Sequence, residues 1–155
     1  YFLSFTQLES CGKCTFCRVG TKRMLDILER ICNGQGAEKN IDELLNLATD
    51  IKRGSLCGFG KTAPNPVIST IRHFHDEYIA HIKGACPAGK CKNLIKYVIT
   101  ANCIGCGLCA RNCCAEAIQF KPYKKHEIDN SKCVKCGNCF SVCPVKAIVK
   151  QTIHN

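Results

Sequence analysis

The chain has 155 residues, 16 of them cysteine, with no tryptophan, one methionine and a formal charge of +10. That is enough chain for one ordinary domain or two small ones, and the apolar complement is too modest to stabilise it without bound metal. No run of 18 apolar residues occurs, which excludes a transmembrane helix.

Tyr1-Phe2-Leu3-Ser4-Phe5 has neither the basic region nor the cleavage pattern of a secretory signal. The absence of a starting methionine makes the sequence read as part of a longer polypeptide. The positive charge is an expected counterweight to anionic, thiolate-bound metal rather than a nucleic-acid footprint.

Residues 1–83 are predicted to be helical. Tyr1, Phe2, Phe5 and Leu8 share one helical face, and Leu25, Leu28, Ile31 and Cys32 form a second stripe that ends at Asn33-Gly34. Asn40 and Glu43 have the spacing of a capping box opening a third helix, with Ile41, Leu44, Leu45, Ala48 and Ile51 inward and Gly54 at its end. Pro66 suits the first turn of a fourth helix carrying Val67, Ile68, Ile71, Phe74, Tyr78, Ile79 and Ile82 and closed by Gly84. Four helices with short connections predict an antiparallel bundle. Residues 84–96 read as a linker, and from residue 97 short β-prone pieces flank the cysteine runs: 97–99, 118–120, 127–128 and 148–149. The expected fold class is α+β, with a helical domain over 1–83 and a second small domain over 97–155.

Cys103, Cys106, Cys109 and Cys113 form a C-x2-C-x2-C-x3-C run that recurs 30 residues later as Cys133, Cys136, Cys139 and Cys143. This is the spacing by which bacterial ferredoxins hold two [4Fe–4S] clusters, the fourth cysteine of each run serving the other cluster. One cluster is therefore assigned to Cys103, Cys106, Cys109 and Cys143, and the other to Cys133, Cys136, Cys139 and Cys113. Gly107 and Gly137 let backbone N–H groups approach cluster sulfur. Pro144 follows the second run, whereas Cys114 takes that place in the first and reads as a buried packing thiol. Zinc knuckles are the rival reading, although zinc sites usually stop at C-x2-C pairs. A disulfide framework would be crowded by cysteines at every third position.

Cys11, Cys14 and Cys17 form a further C-x2-C-x2-C loop at a helix start, with Cys57 as the distant fourth ligand of a third [4Fe–4S] cluster. Cys32 competes for that place but continues an apolar stripe and reads as core. His81, Cys86 and Cys91 supply three zinc ligands in H-x4-C-x4-C spacing, with no fourth protein ligand evident beyond Glu77 and His75. The alternative is a helix-end histidine beside two packing thiols. Lys121, Lys124 and Lys125, with Tyr123 and His126, form a basic loop that is either simply solvated or a docking surface for an acidic ferredoxin. Gly58-Phe59-Gly60-Lys61-Thr62 faintly echoes a phosphate loop, but Ser55 stands where that motif requires glycine.

Glu9-Ser10-Cys11-Gly12-Lys13-Cys14, Cys17-Arg18, Gly20, Cys57 and Ala63-Pro64-Asn65-Pro66 closely resemble the C-terminal helical domain of NADH-oxidising flavoprotein subunits. That family includes the flavin subunit of respiratory complex I, NAD-linked formate dehydrogenases and NAD(P)-linked hydrogenases. The resemblance implies a four-helix bundle holding a [4Fe–4S] cluster near a flavin. Phe16 departs from the proline the family usually has. With the ferredoxin-like tail, the chain most resembles the β subunit of electron-bifurcating [FeFe]-hydrogenases.

The resemblance implies an electron-transfer module of a cytoplasmic, multi-subunit, NAD(P)-linked oxidoreductase, relaying electrons between flavin and ferredoxin. It implies three [4Fe–4S] clusters here, with FMN and NAD(H) only in an upstream domain, and no catalytic or nucleotide site in this segment. The same module in a formate dehydrogenase, and a purely structural metal-binding module, are the alternatives. Cytosolic thiols stay reduced, as cluster ligation requires.

Overall fold

Six helical segments make up residues 1–82 of the computed structural model, which describes residues 1–153. They are α1 (Phe2–Leu8), α2 (Thr15–Cys32), α3 (Lys39–Gly54), α4 (Gly58–Thr62), α5 (Asn65–His73) and α6 (His75–Ile82). The chain divides into two compact units at Pro87 and Ala88.

In the first unit α2 packs chiefly on α3, and its inner face carries Cys17, Gly20, Thr21, Met24, Ile27 and Ile31. The leucine-based stripe expected from the sequence is rotated: Leu25 and Leu28 lie half-buried at the margin, and Cys32 is exposed rather than core. Thr21 fits the inner face because its Oγ1 donates to the Cys17 carbonyl at 2.6 Å, which satisfies the hydroxyl inside the helix. A similar rotation affects α1. Leu3 and Thr6 are buried, while Tyr1, Phe2, Phe5 and Leu8 are exposed. Thr6 Oγ1 donates to the Leu3 carbonyl at 3.0 Å, again hiding a polar atom.

α3 buries Ile41, Leu44, Ala48 and Ile51, as its periodicity predicts, while Leu45, also expected inward, is half-buried at the margin. Its start is not the expected capping box. The helix begins at Lys39, and Asn40, buried in the first turn, accepts the Ala37 N–H at 2.8 Å while its amide donates to Glu43 at 3.1 Å. The helix predicted over 65–82 is divided at Phe74, whose φ of −129° and ψ of 35° leave the helical region. Arg72 and His73 end α5, and Asp76 and Glu77 open α6. Each charge pair complements a helix terminus, so the sequence favours two short helices over one continuous dipole.

The second unit contains a 3-10 turn (Lys92–Leu94), β1 (Ile95–Ile99), α7 (Leu108–Arg111), α8 (Asn138–Val142) and β2 (Ile148–Thr152). β1 and β2 pair antiparallel from Ile95 opposite Thr152 to Ile99 opposite Ile148. Ile95, Tyr97 and Ile99 alternate inward. The other β-prone pieces meet in one isolated bridge, Ile118 to Ile128.

The 30-residue repeat recurs in backbone conformation. Gly107 and Gly137 have φ of 77° and 86°, Gly105 and Lys135 have 71° and 55°, and Glu116 and Lys146 have 50° and 49°. A left-handed conformation costs a non-glycine residue about 1–2 kcal/mol, so both loops are held in one shape against local preference. The architecture is thus mixed helix with a small sheet, and no helix among the described residues is long and apolar enough to cross a membrane.

Candidate metal centres

Each half of the repeat in the second unit closes over a cavity. One is lined by Cys103, Cys106, Cys109 and Cys143 together with Ile99, Leu108, Val145 and Ile148. The other is lined by Cys113, Cys133, Cys136 and Cys139 together with Tyr97, Ala117, Ile118 and Ile128. In both cases the fourth thiol comes from the opposite cysteine run. The local cause is symmetrical: each run turns through a left-handed glycine into a short helix, α7 after Gly107 and α8 after Gly137. The last cysteine of each run leaves that helix, and its sulfur accepts a backbone N–H four residues on. Ala117 donates to Cys113 at 3.2 Å, and Ala147 donates to Cys143 at 3.3 Å.

The electrostatics of the cavities pull in two directions. Burial raises the thiols of Cys109 and Cys139, the latter to about 11. The N–H of Asn138, at the start of α8, holds exposed Cys136 below the ordinary thiol range. Bound metal would resolve the conflict, because coordination deprotonates a thiol outright.

In the first unit, Cys14 caps α2 and Cys57 caps α4. The backbone N–H of Leu56, and after it that of Cys17, lowers the Cys14 thiol below its usual range. Ser55 Oγ is buried without a hydrogen-bond partner of good geometry, yet it also favours the Cys14 thiolate. Gly60 closes the arrangement: a Cβ there would sit 2.6 Å from Ser55 Oγ and 3.2 Å from Cys17 Cβ. The loop bearing Cys57 is thus packed against the turn bearing Cys14 and Cys17. Ser10 Oγ lies 3.4 Å from Cys17 Sγ, and Cys11, like Cys57, is exposed.

Of the expected zinc ligands, His81 lies in the last turn of α6, Cys86 is buried and Cys91 is half-buried. His81 Nδ1 is 2.7 Å from the Glu77 carbonyl oxygen.

Two residues depart from their expected surroundings. Cys114 is exposed rather than packed, and its thiol donates to Cys136 Sγ at 3.8 Å. His126 does not belong to the basic loop: Lys121, Tyr123, Lys124 and Lys125 are exposed, but His126 is completely buried and lines the cavity of Cys103. Its flanking lysines gave it the look of a surface residue, and the one contrary signal was Phe120, against which its ring stacks with centroids 5.9 Å apart.

The donor sets fit iron–sulfur clusters. Among the described residues both cavities offer soft thiols, largely apolar walls and no carboxylate, and the Cys14 site adds an unpartnered buried hydroxyl and converging N–H groups. Comparison with known proteins agrees. Residues 1–81 match the NADH-ubiquinone oxidoreductase-F iron-sulfur binding region, and residues 97–150 match a 4Fe-4S dicluster domain. The chain is 46% identical over 153 residues to the NADP-reducing hydrogenase subunit HndC of Solidesulfovibrio fructosivorans, an alignment covering 97% of this chain and 31% of that protein. It is 48% identical over 84 residues to the F subunit of the NADH-quinone oxidoreductase of Mycobacterium bovis, and 40% identical over 86 residues to its counterpart in Streptomyces coelicolor. These cover 54% and 55% of this chain and 19% of each relative. The chain therefore spans about a third of the length of the first of these curated relatives and about a fifth of the others. With its cysteine-bearing helix starts lying inside the matched region, the chain belongs to the family of the NADH-ubiquinone oxidoreductase-F iron-sulfur binding region, continued by a 4Fe-4S dicluster domain.

Proposed function

We propose that this chain is the electron-transfer module of an NAD(P)-linked flavoprotein, namely the C-terminal part of a hydrogenase subunit of the electron-bifurcating type. The observation that carries this reading is the joining of two cluster-binding regions in one chain. The hydrogenase subunit aligns with 97% of the chain, whereas the two NADH-quinone oxidoreductase subunits align with 54% and 55% of it.

Three [4Fe–4S] clusters are assigned: to Cys11, Cys14, Cys17 and Cys57; to Cys103, Cys106, Cys109 and Cys143; and to Cys133, Cys136, Cys139 and Cys113. Bound clusters of this kind take up and release one electron at a time, at potentials set by burial and by hydrogen bonds to sulfur. The chain's own residues hold and tune them. Cys14 receives N–H groups from Leu56 and Cys17, while Ile99, Ile118 and Ile148 keep water from the paired cavities. No side chain here is assigned acid–base or nucleophilic chemistry; flavin and nicotinamide belong to a domain upstream of Tyr1.

On this reading the helical unit exchanges electrons with the flavin side and the dicluster unit with ferredoxin, in the cytoplasm, where thiols remain reduced. The exposed Lys121, Lys124 and Lys125 are assigned to ferredoxin docking, since complementary charge speeds weak redox encounters. Electron transfer to ferredoxin should slow as salt rises and become salt-insensitive when the three lysines are replaced. His81, Cys86 and Cys91 are assigned a structural zinc ion on their H-x4-C-x4-C spacing. Equal zinc content in Cys86→Ser and parent protein would end that assignment.

The deciding experiment is anaerobic purification with iron and zinc quantitation, followed by redox-titrated EPR. Three low-potential one-electron signals and about 12 iron atoms per chain are expected. Redox-silent metal, or fewer than about eight iron atoms, would instead favour a structural module.

A further inference from the structure

His126 is completely buried in the dicluster unit, and both of its ring nitrogens are engaged. Nε2 accepts the backbone N–H of Lys121 at 3.3 Å. Nδ1 lies 3.7 Å from Cys103 Sγ. Phe120 stacks on the ring at 23° between planes.

The Lys121 contact determines where the ring proton sits. A nitrogen that accepts an N–H carries no proton of its own, so the neutral ring is protonated at Nδ1. That proton faces the sulfur of Cys103. Backbone N–H contacts to cysteine sulfur are common to both halves of the repeat, but this side-chain donor is not: among the described residues no histidine lines the cavity of Cys113, Cys133, Cys136 and Cys139.

We infer that His126 is a positioning residue whose Nδ1–H donates a hydrogen bond to Cys103 Sγ and thereby raises the reduction potential of the cluster held by Cys103, Cys106, Cys109 and Cys143. The inference rests on the assignment of Cys103 as a cluster ligand. A donor to a ligand thiolate is charge-assisted, and it strengthens as reduction adds negative charge to the thiolate set. The donor therefore stabilises the reduced state more than the oxidised one. The two tail clusters, alike in ligands, are made unlike in potential, and the one beside His126 becomes the preferred resting place for an electron in this unit.

The test compares His126→Phe, which keeps an aromatic ring without the donor, with His126→Asn, whose amide N–H can replace Nδ1–H. Each is purified anaerobically in the full chain, assayed for iron and titrated by EPR. The phenylalanine variant should keep its iron and show one tail signal displaced to lower potential by about 59 mV, a tenfold weaker reduction. The asparagine variant should restore most of that shift, and the other two signals should not move. Intact iron with all three potentials unchanged, or an equal displacement of both tail clusters, overturns the inference. Absence of iron at Cys103 in the parent protein would overturn the ligand assignment instead. If the phenylalanine variant loses iron, histidine labelled with 15N in the parent protein decides the matter. A nitrogen coupling on one tail signal supports the bond, and no coupling on either signal refutes it.

Discussion

Replacing Cys143 with alanine tests whether the two cysteine runs exchange their fourth ligands. Cys143 is the last residue of the second run, yet it lines the cavity of Cys103, Cys106 and Cys109, and Cys113 lines that of Cys133, Cys136 and Cys139. Cys143→Ala removes one thiolate and leaves the Ala147 N–H without its 3.3 Å sulfur acceptor. A lost hydrogen bond of this kind costs about 0.5–1.5 kcal/mol, too little to unfold a unit whose other cavity is intact. The dominant effect is ligand loss. Iron should fall by a third, from about 12 to about 8 atoms per chain. Alkylation followed by peptide mass spectrometry should find Cys103, Cys106 and Cys109 newly reactive, while Cys113, Cys133, Cys136 and Cys139 stay protected. Cys113→Ala, which deprives Ala117 of its 3.2 Å acceptor, should give the reverse pattern. Reactivity of Cys133, Cys136 and Cys139 in the Cys143 variant would mean that each run holds its own cluster, and the crossed assignment would be wrong.

Gly137→Ala should destabilise more than Gly107→Ala in urea titrations. Both positions are left-handed and both cost about 1–2 kcal/mol for that reason; a Cβ at Gly137 meets Tyr97 Oη at 2.9 Å, where Tyr97 is buried, whereas one at Gly107 meets the ring of Phe120, which is 55% exposed and can swing away. The opposite order would refute the packing argument. Cys114→Ala should retain all the iron of the parent, because Cys114 lies outside both quartets and contributes only a 3.8 Å contact to Cys136 Sγ; loss of a cluster would place it among the ligands. Arg23, by its 3.0 Å hydrogen bond, holds the Glu43 carboxyl below the ordinary carboxylate range. The stability this gives is present above the unfolded carboxylate value of about 4.3 and disappears as pH falls through the lower folded value. Glu43→Gln should therefore flatten that part of the stability–pH curve, by less than about 1 kcal/mol for so exposed a pair, and an unchanged acid limb would show that the pair contributes nothing.

The sequence carries the metal chemistry more legibly than the packing. Thiols at every third position can serve few purposes, and the repeat at 30 residues brings with it the left-handed backbone of Gly107 and Gly137 and the paired N–H···S contacts of Ala117 and Ala147. Helix faces were harder to read. In α2 the eye follows Leu25 and Leu28, but the buried line runs through Cys17, Thr21, Met24 and Ile27, because an inward Thr21 can satisfy its hydroxyl on the Cys17 carbonyl. The break at Phe74 did have a signal, opposed charges on either side of it, which an apolar stripe continuing through Tyr78 and Ile82 concealed. His126 had almost none. Its burial depends on the loop closing between Phe120 and His126 so that Lys121 N–H can meet the ring, a turn that composition alone does not encode.

Duplication explains why two cavities exist, but it does not explain why they differ. The two halves agree in ligand spacing, in glycine conformation and in the N–H···S bond to the last cysteine, so the repeat preserves what cluster binding requires. They diverge in what surrounds the sulfur. Tyr97, Cys114 and Lys135 line one cavity; His126, Leu108 and Val145 line the other. Ligand sets determine whether a cluster is held, whereas burial and hydrogen bonds to sulfur determine its potential. Two identical sites would offer an electron no preference between them. Divergence confined to the walls preserves binding and leaves potential free to vary. On the proposed reading, the walls rather than the cysteines are where the two sites are made unlike in potential.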